Sequence, residues 1–198
     1  MPKPARSAPL ARLELRLAAV AGWLSAAIIL VNTAKRAELL PTTPVTQLLA
    51  PLAQIFAIGF VLGLYLACRR GNGGLLTVGL IANLAAIAAL VGVEFVINLV
   101  FAYLEPAQVA ALRAGPLGTA LTVASILFIL ATLVYTAGLW RGGAPRVPLA
   151  LYAAAVFPIG LRALVPEAAL QIALVVLAAA VVWLAATLWQ RGTAPVAA

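Results

Sequence analysis

Apolar residues occupy this chain in long blocks separated by short polar ones. Six blocks stand out: Leu13 to Val31, Val45 to Cys68, Leu75 to Leu104, Leu117 to Trp140, Pro148 to Leu164 and Ala168 to Trp189. A membrane helix needs about 20 predominantly apolar residues, within roughly 17–25, and each block reaches or approaches that length. No alternation of strand type runs over comparable lengths. The pattern predicts an all-α integral membrane protein, a six-transmembrane-helix antiparallel bundle, because the polar connections are short. A basic tail over 1–12 precedes the helical domain over 13–191, and a short tail over 192–198 follows it.

The connections carry their own signals. Glu105 can cap a short interfacial helix, Pro106 suits its first turn and Gly115 can stop it. Pro51 in the second block, and Pro158 with Gly160 in the fifth, predict kinks. Gly59 and Gly63, with Ala67 four further on, give the second block a smooth face for close helix approach. No small-x-small cleavage site follows Val31, so the first block reads as a retained signal anchor.

Basic residues orient such a bundle. With the N-terminus inside, Lys3, Arg6, Arg12, Arg16, Arg69, Arg70, Arg141, Arg146 and Arg191 fall on the cytoplasmic side. Lys35, Arg36 and Arg113 fall outside, opposite Glu38, Glu105 and Glu167. Both termini are then cytoplasmic, and the formal charge of +8 gathers on the inner face. There it favours anionic membrane lipid, and nucleic acid is not needed to explain it.

Composition narrows the chemistry further. The chain of 198 residues is 65% apolar and 9% charged, too few polar side chains to clothe a soluble globule. It has no histidine, no aspartate and five glutamates. Histidine-ligated haem or zinc and Ser-His-Asp catalysis are therefore excluded, and a carboxylate-rich Mg or Ca site is disfavoured. No cofactor and no metal are expected. Cys68, the single cysteine, reads as a small apolar filler at a helix end.

Ionisable groups inside apolar spans are functional-site candidates by default. Glu94 in the third block and Arg162 in the fifth both fall in the outer half of the bilayer, and each supplies the partner the other needs. At 100° per residue, Asn83, Glu94 and Asn98 share about 60° of one helix face. Ser125, Thr132 and Thr136 share about 40° on the next block, with Gly118 near the same face. Two readings follow. The stripes serve as interhelical packing contacts, or they line a polar path or small-ligand pocket with Glu94 and Arg162 at its outer side.

The inner end of the fourth block reads LW-RGG-x-PR, and two apolar helices follow. This run resembles the C-terminal hairpin of small bacterial multi-pass membrane proteins of unknown function. Gly138, Trp140, Arg141, Gly142, Pro145 and Arg146 carry the similarity, over roughly a quarter of the chain. The resemblance implies a bacterial inner-membrane location and supplies no activity. On the sequence alone the chain is a non-enzymatic membrane structural or partner-binding protein. The alternative is a small-solute or proton-coupled transporter or channel. Protein partner and oligomeric state stay open.

Overall fold

The computed structural model describes residues 8–69 and 74–193. The expectations for Lys3, Arg6, Arg70 and the tail beyond 193 lie outside those residues. Seven α-helices form among the described residues: α1 Ala8–Arg36, α2 Pro44–Cys68, α3 Gly74–Phe95, α4 Pro106–Ala114, α5 Pro116–Arg141, α6 Arg146–Gly160 and α7 Glu167–Thr193. Five helical runs are long and apolar enough to cross a membrane, and α6 is apolar but shorter. Large apolar side chains also face outward, with Leu17, Ile81 and Ile172 each 60–65% exposed. Helices apolar on every side belong in lipid or in a buried core, and this chain has too little mass to bury them all.

Local chemistry accounts for the helix ends. Thr43 and Thr46 form a capping box ahead of α2, whose first residue is Pro44. The Glu105 N–H donates to Gln108 Oε1 at the start of α4, and Pro106 opens that helix. A Cβ at Gly118 would collide with the Arg113 carbonyl, so glycine permits the tight turn between α4 and α5.

Three boundaries differ from the apolar blocks, each for a physical reason. α1 starts at Ala8, inside the expected tail, and runs past Val31 to Arg36. The Thr33 hydroxyl bonds the Ile29 carbonyl at 2.8 Å, and Lys35 and Arg36 suit the negative end of the helix dipole. The helix is closed by Glu38 in the left-handed region (φ 59°), and the Leu39 N–H returns to the Ala34 carbonyl at 2.9 Å. The third block changes its winding: after Phe95 it becomes a π-helix over Val96–Val100, then a 3-10 turn over Phe101–Tyr103. The fifth block loses its helix at Gly160, short of Leu164, and turns through 161–165. Fifteen residues span about 22 Å at 1.5 Å each, less than the roughly 30 Å of a hydrocarbon core.

The six long or apolar helices close a ring. α1 packs on α2 and α7, α2 on α3, α3 on α5, α5 on α6, and α6 on α7. One end of the ring is arginine-rich. Arg16 lies 4.6 Å over the Trp189 ring, Arg146 lies 5.5 Å over Trp140, and Arg191 reaches the Ala67 carbonyl. The half nearest that end is filled by close backbone approach. A Cβ on Gly79 would come within 2.7 Å of Tyr135 Cα, and one on Gly138 within 2.8 Å of Leu76 Cα. Gly63 sits against Ala18 and leaves no space for a side chain. The buried Tyr135 hydroxyl crosses the ring to donate to the Val61 carbonyl at 2.6 Å. This half is solid.

Candidate functional site

The opposite half, at the end of mixed charge, is not solid. A cavity of about 140 Å³ lies within the ring, and all six helices contribute to its wall. Ser25 and Asn32 come from α1, Gln54 from α2, Glu94 from α3, Ser125 from α5 and Tyr152 from α6. Leu170, Leu174 and Leu177 on α7 complete it. Its deeper wall is apolar, with Ala53, Phe60, Ile87 and Phe128.

Its charged rim is built around the change of winding in α3. Glu94 stands one residue before the regular helix ends at Phe95, and the π-helix starts at Val96. The wider turn places the Asn98 amide back over Glu94, where Nδ2 donates to Oε2 at 2.9 Å and to the Glu94 carbonyl at 3.0 Å. A π-turn inside a membrane helix leaves backbone groups irregular, which is tolerated beside a cavity. The Tyr103 hydroxyl donates to the buried Gln47 Oε1 at 2.8 Å and so ties the end of this segment to α2.

Two other elements meet this Glu94–Asn98 pair. Lys35, on the last turn of α1, donates from Nζ to Asn98 Oδ1 at 2.8 Å. Arg162 sits where α6 has already unwound, and its Nη1 stands 3.8 Å from Glu94 Oε1. That separation makes an ion pair without a hydrogen bond. Both side chains keep about a quarter of their surface exposed, 27% for Arg162 and 23% for Glu94. Beside them Arg36 grips Glu167 with two bonds of 2.9 and 2.8 Å and clips α1 to α7 at the rim.

The expected polar stripes divide between two places. Asn83 donates to Thr132 Oγ1 at 2.9 Å inside the α3–α5 contact, where both residues are fully buried. Thr136, also buried, turns its hydroxyl to the Leu133 carbonyl of its own helix. Asn83, Thr132 and Thr136 are absent from the cavity wall. Glu94, Asn98, Ser125 and Arg162 belong to that wall. Gly160 approaches α5 so closely that a Cβ would fall 2.5 Å from Ile129 Cγ1, which brings the end of α6 beside Ser125.

Lys35, Arg36, Asn32 and Ser25 are wall residues that hydropathy did not single out. Their signal is periodicity beyond the apolar block: Asn32, Lys35 and Arg36 stand at i, i+3 and i+4, one face of a helix that continues past Val31. Asn32 Oδ1 is shielded from solvent without a donor among the described residues. Such an acceptor carries a desolvation penalty of about 1–3 kcal/mol until a donor reaches it. Chemically, the site joins cationic groups, one carboxylate and amide dipoles to an apolar chamber. No three His, Cys, Asp or Glu side chains gather to hold a metal among the described residues. No protein-family model matches this chain, and neither a curated protein nor a solved structure does.

Proposed function

We propose that this chain is a six-span integral membrane protein that binds a small solute inside its bundle, in the manner of a transporter's binding site. The arginine-rich end faces the cytoplasm, contacts anionic lipid, and leaves both termini on that side. The bacterial inner membrane is the location that the C-terminal hairpin's resemblance implies. One observation carries the binding reading: polar groups from several helices, some of them bonded to one another, converge on the wall of a cavity. The packing reading retains Asn83, Thr132 and Thr136. Broken and rewound helices at such a site, here α3 and α6, are a recurrent arrangement for solute sites at membrane depth.

Accessibility tests this. With Cys68 replaced by Ala, a cysteine at Ser125 should react with a membrane-impermeant thiol reagent from the non-cytoplasmic side of oriented vesicles. A cysteine at Thr132 should stay protected. An unreactive Ser125→Cys would remove the open cavity, and labelling of a cysteine within 69–74 from that same side would reverse the topology.

A further inference from the structure

The cavity is polar at one end and apolar at the other, and its charges do not cancel. Lys35, Arg36 and Arg162 bring three positive charges to the wall, and Glu94 brings one negative charge. Glu167 grips Arg36 from the rim, so the local sum is three minus two, or +1. The excess is also unevenly bonded. Lys35 donates to a neutral amide, and Arg162 stands beyond hydrogen-bond distance from Glu94. Two cationic groups therefore flank the void with donors to spare, in a setting where low-polarity walls strengthen their field.

Charge and size together restrict the occupant. A single negative charge balances the sum, whereas a phosphate dianion would overshoot it. The apolar depth, with Phe60, Ile87 and Phe128, suits a hydrocarbon body. At about 140 Å³ the void compares with an apolar cavity of about 150 Å³ that accepts benzene. A lipid with two acyl chains does not fit in it.

We propose that the cavity binds a small monocarboxylate with a compact apolar body, of the size and charge of benzoate. Its carboxylate lies between Lys35 and Arg162, and its body rests against the apolar wall. The assignment rests on the reading of this cavity as a solute site and adds the chemistry of the solute.

The test is calorimetric titration of the purified full-length protein in phosphatidylcholine nanodiscs with benzoate, benzamide and benzylamine, which share a ring and differ in charge. Benzoate should bind at least about tenfold tighter than benzamide, and benzylamine should bind weakest, as expected when a charged group reaches buried donors. Lys35→Met and Arg162→Gln should each weaken benzoate about tenfold and weaken benzamide by clearly less, since charge-assisted bonds are the stronger ones. Equal affinity for benzoate and benzamide, which needs no variant to observe, overturns the carboxylate assignment and leaves the solute site standing. Unchanged benzoate binding in both variants, with the fold intact by circular dichroism, does the same. If none of the three probes binds, the solute site falls with it. Nanodiscs containing phosphatidylglycerol separate the sources of anion: retained benzoate affinity supports a free acid, and a loss beyond about tenfold assigns the cations to a lipid headgroup instead.

Discussion

The two halves of the ring are made from similar helices and behave oppositely. Near the arginine-rich end, Gly63, Gly79 and Gly138 let backbones touch, and the space between helices vanishes. Near the other end, longer and polar side chains hold the helices apart around a void. In lipid no hydrophobic force draws one helix to another, so close van der Waals contact and interhelical hydrogen bonds must do so. Concentrating the tight contacts in one half frees the other half to stay open. The difference teaches that the solid half is the fold's anchor and the open half its adaptable part.

The largest expected effect attacks the anchor. Gly79→Val would drive a side chain into the Tyr135 backbone, and it should lower stability in a mixed-micelle unfolding titration by about 3 kcal/mol. A loss below about 1 kcal/mol would show that the α3–α5 crossing yields easily, and the contrast between halves would weaken.

Next comes the polar contact inside that crossing. Thr132→Val removes the acceptor of the Asn83 amide and should cost about 1 kcal/mol, the scale of such bonds between membrane helices. Bond removal in the open half should do less harm to the fold. Glu94→Gln and Arg162→Ala, made singly and together, should show a coupling of about 1 kcal/mol or less, because the pair is 3.8 Å apart and partly screened. A coupling of several kcal/mol would instead make this pair an anchor in its own right.

The rim should matter least to stability. Glu167→Gln breaks the exposed grip on Arg36, and the loss should be about 0.5 kcal/mol and shrink with added salt. Glu38→Gly relieves a left-handed backbone and should raise stability by about 0.5–1 kcal/mol. A loss in that last variant would mean that the Glu38 side chain holds the α1–α2 turn more strongly than its backbone conformation opposes it.

Much of the fold was legible because lipid imposes a simple rule of length and apolarity on every span. The blocks around α2, α5 and α7 needed no more than that, and Glu105, Pro106 and Gly115 marked α4 by turn chemistry. The candidate site was legible at Glu94, Asn98, Ser125 and Arg162, since polar groups in apolar blocks are conspicuous. It was illegible at Lys35 and Arg36, which hydropathy assigns to a loop although the helix carries them into the wall. The π-turn after Phe95 was equally hidden, because an ideal 100° step gives no sign of where winding will change. An ideal helix puts the α3 stripe on one face, yet rewinding sends Asn98 to the rim while Asn83 remains in the packed crossing. Whether a polar residue packs or lines a void depends on the distance between helices, which glycines elsewhere in the sequence decide.

The shortness of α6 has an electrical consequence. Where its helix stops at Gly160, water entering the cavity would, under the proposed topology, carry the potential of the outer solution inward past Glu94 and Arg162. The voltage across the membrane would then fall mainly over the solid half, around Tyr135 and Gly138. A charged ligand reaching Lys35 would cross little of that field, so its affinity would respond weakly to voltage. Passage onward through the solid half would meet nearly all of it, about 2.3 kcal/mol for each elementary charge per 100 mV. Entry and passage would therefore differ sharply in their dependence on membrane potential.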